Sequence, residues 1–303
     1  MRADSWYQSA DRKYRYKYVM LSGFSFFQHS LDPPIIRQLI QNRPDLLILC
    51  EYTEPTNWIA LITAKLLGIP IIYWVEGGRP SMSFLGIATR PLRALFVRSS
   101  VAIITSGKQS KDYAVGLGAD VKKVFVAPNC IDNGLFVERS SKYRKIREGL
   151  KRELSISGQT VILYVGQLVK RKGVDYLIKA YVRLRQEYDK VALVIVGSGP
   201  LKDQLRRIVY NAGIGSSVHF VETEVGVDEL IKYYSMADVF VLPTLYDVWG
   251  FVINEAMACG LPILSTYVSQ AAEEMIRPGE NGYIVKAADV DELYTPLKRL
   301  VQD

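Results

Sequence analysis

Three segments carry side chains whose types and spacing support chemistry. The first is Val165-Gly166-Gln167-Leu168-Val169-Lys170-Arg171-Lys172-Gly173. An apolar, strand-like run ends there, a glycine lets the backbone turn, and three cations follow. A helical pattern then opens at Val174, with Leu177, Ile178, Tyr181 and Leu184 on one face. The unpaired N–H groups of a helix N-terminus favour an anion, and a neighbouring Lys or Arg adds full charge. The segment therefore reads as a phosphate site, against the plainer reading of a solvated basic loop. The second segment, Gly197-Ser198-Gly199-Pro200, follows the apolar run Val191–Val196. It is a tight strand-to-helix turn suited to close approach of a ligand. As a nicotinamide fingerprint it is weak, because Lys202 stands where the third glycine belongs and Pro200 interrupts the pattern.

The third segment is the most informative and runs from Pro243 to Pro262. Asp247 lies just before a helix predicted to begin near Trp249-Gly250, Gly260 can cap its end, and Pro262 starts the next strand. Glu255 falls inside this helix among Phe251, Val252, Ala258 and Cys259. A carboxylate on so apolar a face needs a partner or a ligand, because burying it alone is costly. Asp247 stands at the helix mouth and Glu255 two turns in. The mouth offers N–H groups to a phosphate, and both carboxylates can accept hydrogen bonds from sugar hydroxyls. The competing reading makes Asp247 a helix cap and Glu255 the partner of a nearby Lys or Arg.

The elements that must position these groups follow from the hydrophobic pattern. Continuous apolar runs recur near Tyr18–Ser22, Leu46–Cys50, Ile71–Trp74, Val101–Thr105 and Val124–Ala127. After a break they return near Val161–Val165, Val191–Val196, Val218–Val221, Val239–Leu242, Ile263–Ser265 and Tyr283–Val285. Continuous rather than alternating runs, each followed by a helical stretch, predict parallel strands covered on both faces by crossover helices. Each half of the chain then reads as a doubly wound α/β domain. Between the halves, Ser141–Leu154 is predicted as one helix with Tyr143, Ile146, Leu150 and Leu154 on its apolar face. The predicted boundaries are an N-terminal domain over 1–135, a connector over 136–158 and a C-terminal domain over 159–303.

Composition narrows the class. The chain has 303 residues, 49% hydrophobic and 23% charged, which excludes wholesale disorder and leaves room for two cores. The formal charge of +7 is uneven: +6 over residues 1–133, +4 over 134–160 and −3 over 161–303. A basic front half can face an anionic membrane surface, nucleic acid or an acidic substrate, or simply carry solubilising charge. Arg79, Arg90, Arg93 and Arg98, with Phe84, Leu85, Leu92 and Phe96, form a candidate contact with an anionic leaflet. Nucleic acid is disfavoured, because the cations lack interleaved stacking aromatics. The three cysteines, Cys50, Cys130 and Cys259, have no metal spacing, and the low, odd count suits a reducing compartment. With only His29 and His219, no metal site is expected and a Ser-His-Asp triad has few candidates; both histidines are read as structural. No signal peptide is visible, and the apolar stretch from Trp58 to Val75 is broken by Gly68-Ile69-Pro70, so it reads as helix, turn and strand rather than a membrane span. A cytoplasmic protein, peripheral at the inner face of the membrane, is the expected location.

Residues 161–286 resemble the donor-binding half of family 4 glycosyltransferases, retaining enzymes of the GT-B fold. Asp247 to Pro262 is similar to the family's acidic-x7-Glu pattern with Ala-Met-Ala-x-Gly-x-Pro, and Gly166…Lys172-Gly173 resembles its glycine-lysine loop. Gly197-Ser198-Gly199-Pro200, Asn281-Gly282-Tyr283 and, at the hinge, Ala127-Pro128-Asn129-Cys130-Ile131-Asp132 with Phe136 resemble further family motifs. The resemblance implies two Rossmann-like, doubly wound parallel-sheet domains facing across a cleft. It implies that Glu255 binds the ribose hydroxyls of a nucleotide diphosphate sugar and that Asp247 lies near the donor sugar. Trp249, Gly250 and Phe251 would bring amides to the sugar or diphosphate, and Lys172 would neutralise the leaving diphosphate. Gly166, Gly197 and Gly199 would shape the donor pocket. The family commonly carries Arg after the glycine at 166; Gln167 stands there, so the missing cation is absent or comes from Arg171. Where many members carry a His after the strand matching Ile71–Trp74, this chain has Glu76-Gly77-Gly78, which makes Glu76 a candidate for the sugar-facing place.

The implied reaction is hexose transfer with retention to a glycan or lipid-linked acceptor, in cell-surface polysaccharide or glycoconjugate synthesis. It needs no cofactor or metal, and catalysis rests on positioning and on stabilising the leaving group. The family usually opens with a strand, a glycine-rich loop and a helix, and ends with helices that cross back; both ends are expected to be short here. The alternative reading is a truncated homologue that binds nucleotide sugar or a partner protein without turnover. An epimerase or phosphorylase on the same fold is a third.

Overall fold

The computed structural model describes residue 21 and residues 24–26, 29–77, 88–221 and 226–302. The strand predicted at Tyr18–Ser22 falls almost wholly outside the described residues. Among the described residues the chain is an α/β protein with three sheets, of two, four and six strands. It divides into two compact units. The first comprises Met1–Trp74, Ser83–Ile103 and Leu117–Lys123, and the second Val75–Met82, Ile104–Gly116 and Val124–Asp303.

Among the described residues, the first unit begins with an antiparallel pair that the apolar pattern does not predict, β1 (Phe24–Phe26) with β2 (His29–Leu31). Helix α1 (Pro34–Asn42), strand β3 (Leu47–Cys50), helix α2 (Pro55–Leu67) and strand β4 (Ile71–Val75) follow. Helix α3 (Arg90–Ser99) closes the unit's core by placing Phe96 edge-on to Trp58 at 4.5 Å and against Tyr73 at 5.3 Å. Two residues proposed above for membrane contact are corrected here. Phe96 is buried in that aromatic cluster, and Arg93 is buried with its guanidinium over the Tyr52 ring. Arg79, Phe84 and Leu85 lie outside the described residues, whereas Arg90, Leu92 and Arg98 are exposed.

Strands β3 and β4, with β5 (Ala102–Thr105) and β6 (Val124–Val126), form one sheet in the order β3-β4-β5-β6. Burial on both faces, expected for every strand, fails at its edges. Ile48 on β3 and Phe125 on β6 are about half exposed.

The second unit holds helix α4 (Lys108–Gly116) and then helices α5 (Asn133–Arg144) and α6 (Arg147–Glu153), two helices where one was predicted. Its six-stranded parallel sheet uses β7 (Thr160–Val165), β8 (Val191–Val196), β9 (Val218–Val221), β10 (Val239–Leu242), β11 (Ile263–Thr266) and β12 (Gly282–Val285) in the order β12-β11-β10-β7-β8-β9. Every residue of β8 and β10 is buried, which is why those runs read as unbroken apolar sequence. His219, expected to be buried, is only half-buried because β9 is the edge strand. Connecting helices are α7 (Val174–Glu187), α8 (Lys202–Asn211), α9 (Val227–Met236), α10 (Phe251–Ala258), α11 (Gln270–Met275) and α12 (Val290–Gln302). Leu177, Ile178, Tyr181 and Leu184 line the buried face of α7, as the periodicity predicts.

The strand order sets where the sheet opens a crevice. Strand β7 pairs with β8 on one side and β10 on the other, so the chain leaves the ends of β7 and β10 in opposite directions. In an open parallel sheet that switch point leaves a crevice at the carboxyl ends of the strands. The loops that follow β7 and β10 carry Lys172 and Asp247.

Candidate functional site

The two loops are fastened together by their backbones. After β7 the chain makes one 3-10 turn over Lys170–Lys172, whose middle carbonyl accepts from the opposite loop. The Arg171 carbonyl accepts from the N–H groups of Leu245 and Tyr246 at 2.8 and 3.2 Å and from the Thr244 hydroxyl at 3.0 Å. Gly173 ends the turn at φ +62° with the Pro243 carbonyl directly against it, so a Cβ there would collide with that oxygen. The left-handed conformation alone costs a non-glycine residue about 1–2 kcal/mol, and the collision adds to it. Gly173→Ala is therefore expected to lower the midpoint of thermal unfolding and to displace Lys172; an unchanged midpoint would contradict this geometry.

The glycine turn after β8 serves the same loop. Gly197 packs so closely on Gly166 that a Cβ would strike the Gly166 carbonyl. Leu168 donates to the Ser198 carbonyl at 2.8 Å and accepts from Leu201 N–H at 3.0 Å. Gly199 lies against Leu168 in the same way. These glycines thus hold two strand ends together, a positioning role that the sequence could not separate from direct ligand contact. Tyr164, missed by the sequence reading, props the turn from beneath: it is fully buried and donates to the Gln167 carbonyl at 2.9 Å.

The cations converge on one carboxylate. Lys172 is buried and its ammonium is paired with Asp247 Oδ2. The Arg171 guanidinium lies 3.7 Å from Asp247 Oδ1 and donates to the Gln167 side chain at 3.1 Å. Gln167, where the family resemblance expects a cation, therefore steers Arg171 instead. Burial pulls the Lys172 pKa below the ordinary lysine range, and the Asp247 charge partly opposes that shift. Asp247 does not cap the helix. Its Oδ1 accepts from the adjacent Val248 N–H at 3.1 Å, and helix α10 starts four residues later with Gly250 as its N-cap.

Glu255 is buried on α10 and accepts a hydrogen bond from the Tyr234 hydroxyl at 2.7 Å. Tyr234 is itself fully buried between Phe136 and Phe240, so the acceptor oxygen is held rigidly. A tyrosine partner from α9 gives no sequence signal, because Tyr234 looks like any core aromatic. Trp249 is buried, and its indole N–H donates to Asn254 Oδ1 at 2.9 Å, while Asn254 donates to the Asn129 carbonyl at 3.2 Å. Trp249 therefore braces the loop before α10. The side chain of Phe251, the first helical residue, is 46% exposed. Burial pushes the Cys259 thiol up to about 12, which disfavours its thiolate.

Glu76 follows β4 and its side chain is exposed. Within the second unit its carbonyl accepts from Gln270 Nε2 at 2.7 Å and from the Ser106 hydroxyl at 3.1 Å. Among the described residues no cluster of three His, Cys, Asp or Glu side chains can hold a metal ion, and no helix is long and apolar enough to cross a membrane.

A nested pair of cations, two buried or half-buried carboxylates and glycine turns at a switch point are suited to an anionic, hydroxyl-bearing ligand. Comparison with known proteins identifies the family. The family model for glycosyl transferases group 1 matches residues 146–303. A GDP-mannose-dependent alpha-(1-6)-phosphatidylinositol monomannoside mannosyltransferase of Mycolicibacterium smegmatis is 29% identical over 240 residues, which cover 77% of this chain and 61% of that protein. An uncharacterized glycosyltransferase of Methanocaldococcus jannaschii is 31% identical over 218 residues, covering 71% of this chain and 55% of that protein. The chain thus spans less than two thirds of the length of both relatives. Among solved structures, Anabaena HepE in complex with UDP-glucose superposes with a TM-score of 0.72 at 17% identity, covering 99% of this chain and 79% of that one.

Proposed function

Because the chain belongs to the group 1 glycosyl transferases and has the GT-B fold, we propose that it moves a hexose from a nucleotide diphosphate sugar to a glycan or lipid-linked acceptor with retention of anomeric configuration. The observation that carries the proposal is the convergence of Lys172, Arg171 and Asp247 at the carboxyl ends of β7 and β10, with Glu255 buried on the helix that follows. Lys172 and Arg171 meet the diphosphate and neutralise the charge that grows on it as the glycosidic bond breaks. Asp247 is the counter-ion of Lys172. With donor bound, the phosphate takes over the cation and Asp247 turns to a sugar hydroxyl. Glu255, oriented by Tyr234, accepts from the ribose hydroxyls.

No metal or other cofactor is invoked in this reading, because the protein's own cations carry the leaving-group charge. Glu76 presents its carboxylate toward the donor sugar. HepE, with UDP-glucose bound, and the mannosyltransferase named for GDP-mannose support a nucleotide-sugar donor of one of those classes. The acceptor belongs to cell-surface polysaccharide or glycoconjugate synthesis in the cytoplasm, and contact with an anionic membrane surface falls to the exposed Arg90, Leu92 and Arg98. Incubation with UDP-glucose and with GDP-mannose, together with simple alkyl glycoside acceptors, tests the reading by proton NMR. The anomeric coupling of the new glycoside should match that of the donor; an inverted product would contradict retention, and no product with any nucleotide sugar would contradict the proposal.

A further inference from the structure

Gln270 sits at the start of α11, only 1% exposed, in a stretch with no recognisable motif. Its side-chain amide uses its full hydrogen-bonding capacity. Nε2 donates to the carbonyl oxygens of Glu76 and Val248, both at 2.7 Å. Oε1 accepts from the Ser110 N–H at 3.2 Å and from the Ser110 hydroxyl at 3.0 Å. Three chain segments far apart in sequence, all within the second unit, therefore meet at one buried amide. Two of them carry Glu76 and, next to Val248, Asp247.

Resting on the proposed function, we infer that Gln270 is a positioning residue that fixes the backbone of the Glu76 and Asp247 segments at one separation. Only an amide does this, because the site needs two donors aimed at two carbonyls and an acceptor aimed at Ser110. A carboxylate would set an oxygen against both carbonyl oxygens, and leucine would remove one donor from each carbonyl and the side-chain acceptor of the Ser110 N–H in a buried place. The neighbouring contacts work in the same direction. Ser269 donates to the Trp249 carbonyl at 2.6 Å, and Ser106 gives the Glu76 carbonyl its second donor. The Gln270 side chain bonds to Glu76, Val248 and Ser110 rather than to Lys172 or Glu255, so nucleotide affinity is separable from this role.

The test uses Gln270→Leu, Gln270→Glu and Ser110→Ala in the full chain. Amide hydrogen exchange without ligand should speed up in the segments around 75–77 and 247–250 together in Gln270→Leu, and to a smaller extent in Ser110→Ala. Turnover should fall by about tenfold or more in Gln270→Leu and Gln270→Glu, while the Kd for UDP or GDP stays within about twofold of the wild type. Exchange that is unchanged in either segment, or a Kd that weakens in step with turnover, overturns the inference. If Gln270→Leu does not fold, exchange in Ser110→Ala decides by the same criterion. A wild type that turns over no donor counts against the proposed function, and the exchange result still decides the role of Gln270.

Discussion

Lys172→Met is expected to lower turnover by about a thousandfold, with little change in the amount of folded protein. Removing one preorganised group that stabilises developing charge typically costs about 2.7–4 kcal/mol in the transition state, and Lys172 is the buried cation of the pair that flanks Asp247. Methionine keeps the length of the stem, so packing survives, although Asp247 loses its closest counter-ion and keeps Arg171 at 3.7 Å. The same lysine sets a pH limit. The cationic form is needed, and burial lowers its pKa, so the cation is lost at a lower pH than an ordinary lysine would lose it. Turnover should therefore decline on the alkaline side below the ordinary lysine range. Lys172→Arg should move that decline to higher pH, because a guanidinium stays protonated. A pH–rate profile of the two proteins checks this; coincident alkaline limbs would remove Lys172 from the charge-bearing role.

Glu255→Gln is expected to raise the KM for the nucleotide sugar by about 10–100-fold. Hydrogen bonds to a charged group contribute about 1.5–3 kcal/mol, and the amide retains an oxygen for the Tyr234 hydroxyl while giving up the charge. Because glutamine matches the volume of the buried glutamate, thermal unfolding should stay close to the wild type. Loss of affinity without loss of stability is the signature to look for in a titration with UDP or GDP alone. Parallel loss of both would instead mark Glu255 as a packing residue of α10.

Much of the second unit was legible in the sequence for a specific physical reason. Strands covered on both faces carry unbroken apolar runs, and all six residues of Val191–Val196 are buried. Helix α7 showed its buried face because Leu177, Ile178, Tyr181 and Leu184 recur at helical spacing. The chemistry-bearing loops were legible because glycines and cations at strand ends have few other uses. What the sequence concealed was pairing at a distance. Lys172 and Asp247 are 75 residues apart, and the sequence suggests a separate role for each, whereas the fold joins them. Tyr234 and Gln270 left no trace, since a core tyrosine and a helical glutamine are ordinary residues until their partners are known.

Local breaks were equally silent. The predicted helix over 141–154 divides at Lys145–Ile146, where Arg144 reaches the Cys259 carbonyl and Arg147 turns to Asp238, 2.6 Å away. The hairpin of β1 and β2 has strands of three residues each, too short for a periodic signal. The membrane-facing pattern of α3 misled because Arg93 and Phe96 use their helix face to close the unit's own core.

The proposed function requires this site to cleave a nucleotide sugar between the sugar and its diphosphate. Release of nucleoside diphosphate from UDP-glucose and from GDP-mannose, followed for the wild type, Lys172→Met and Glu255→Gln, tests it most directly. Release from at least one donor is expected for the wild type, nearly abolished in Lys172→Met and restored by high donor concentration in Glu255→Gln. Release from neither donor, or release at equal rates by all three proteins, would contradict it.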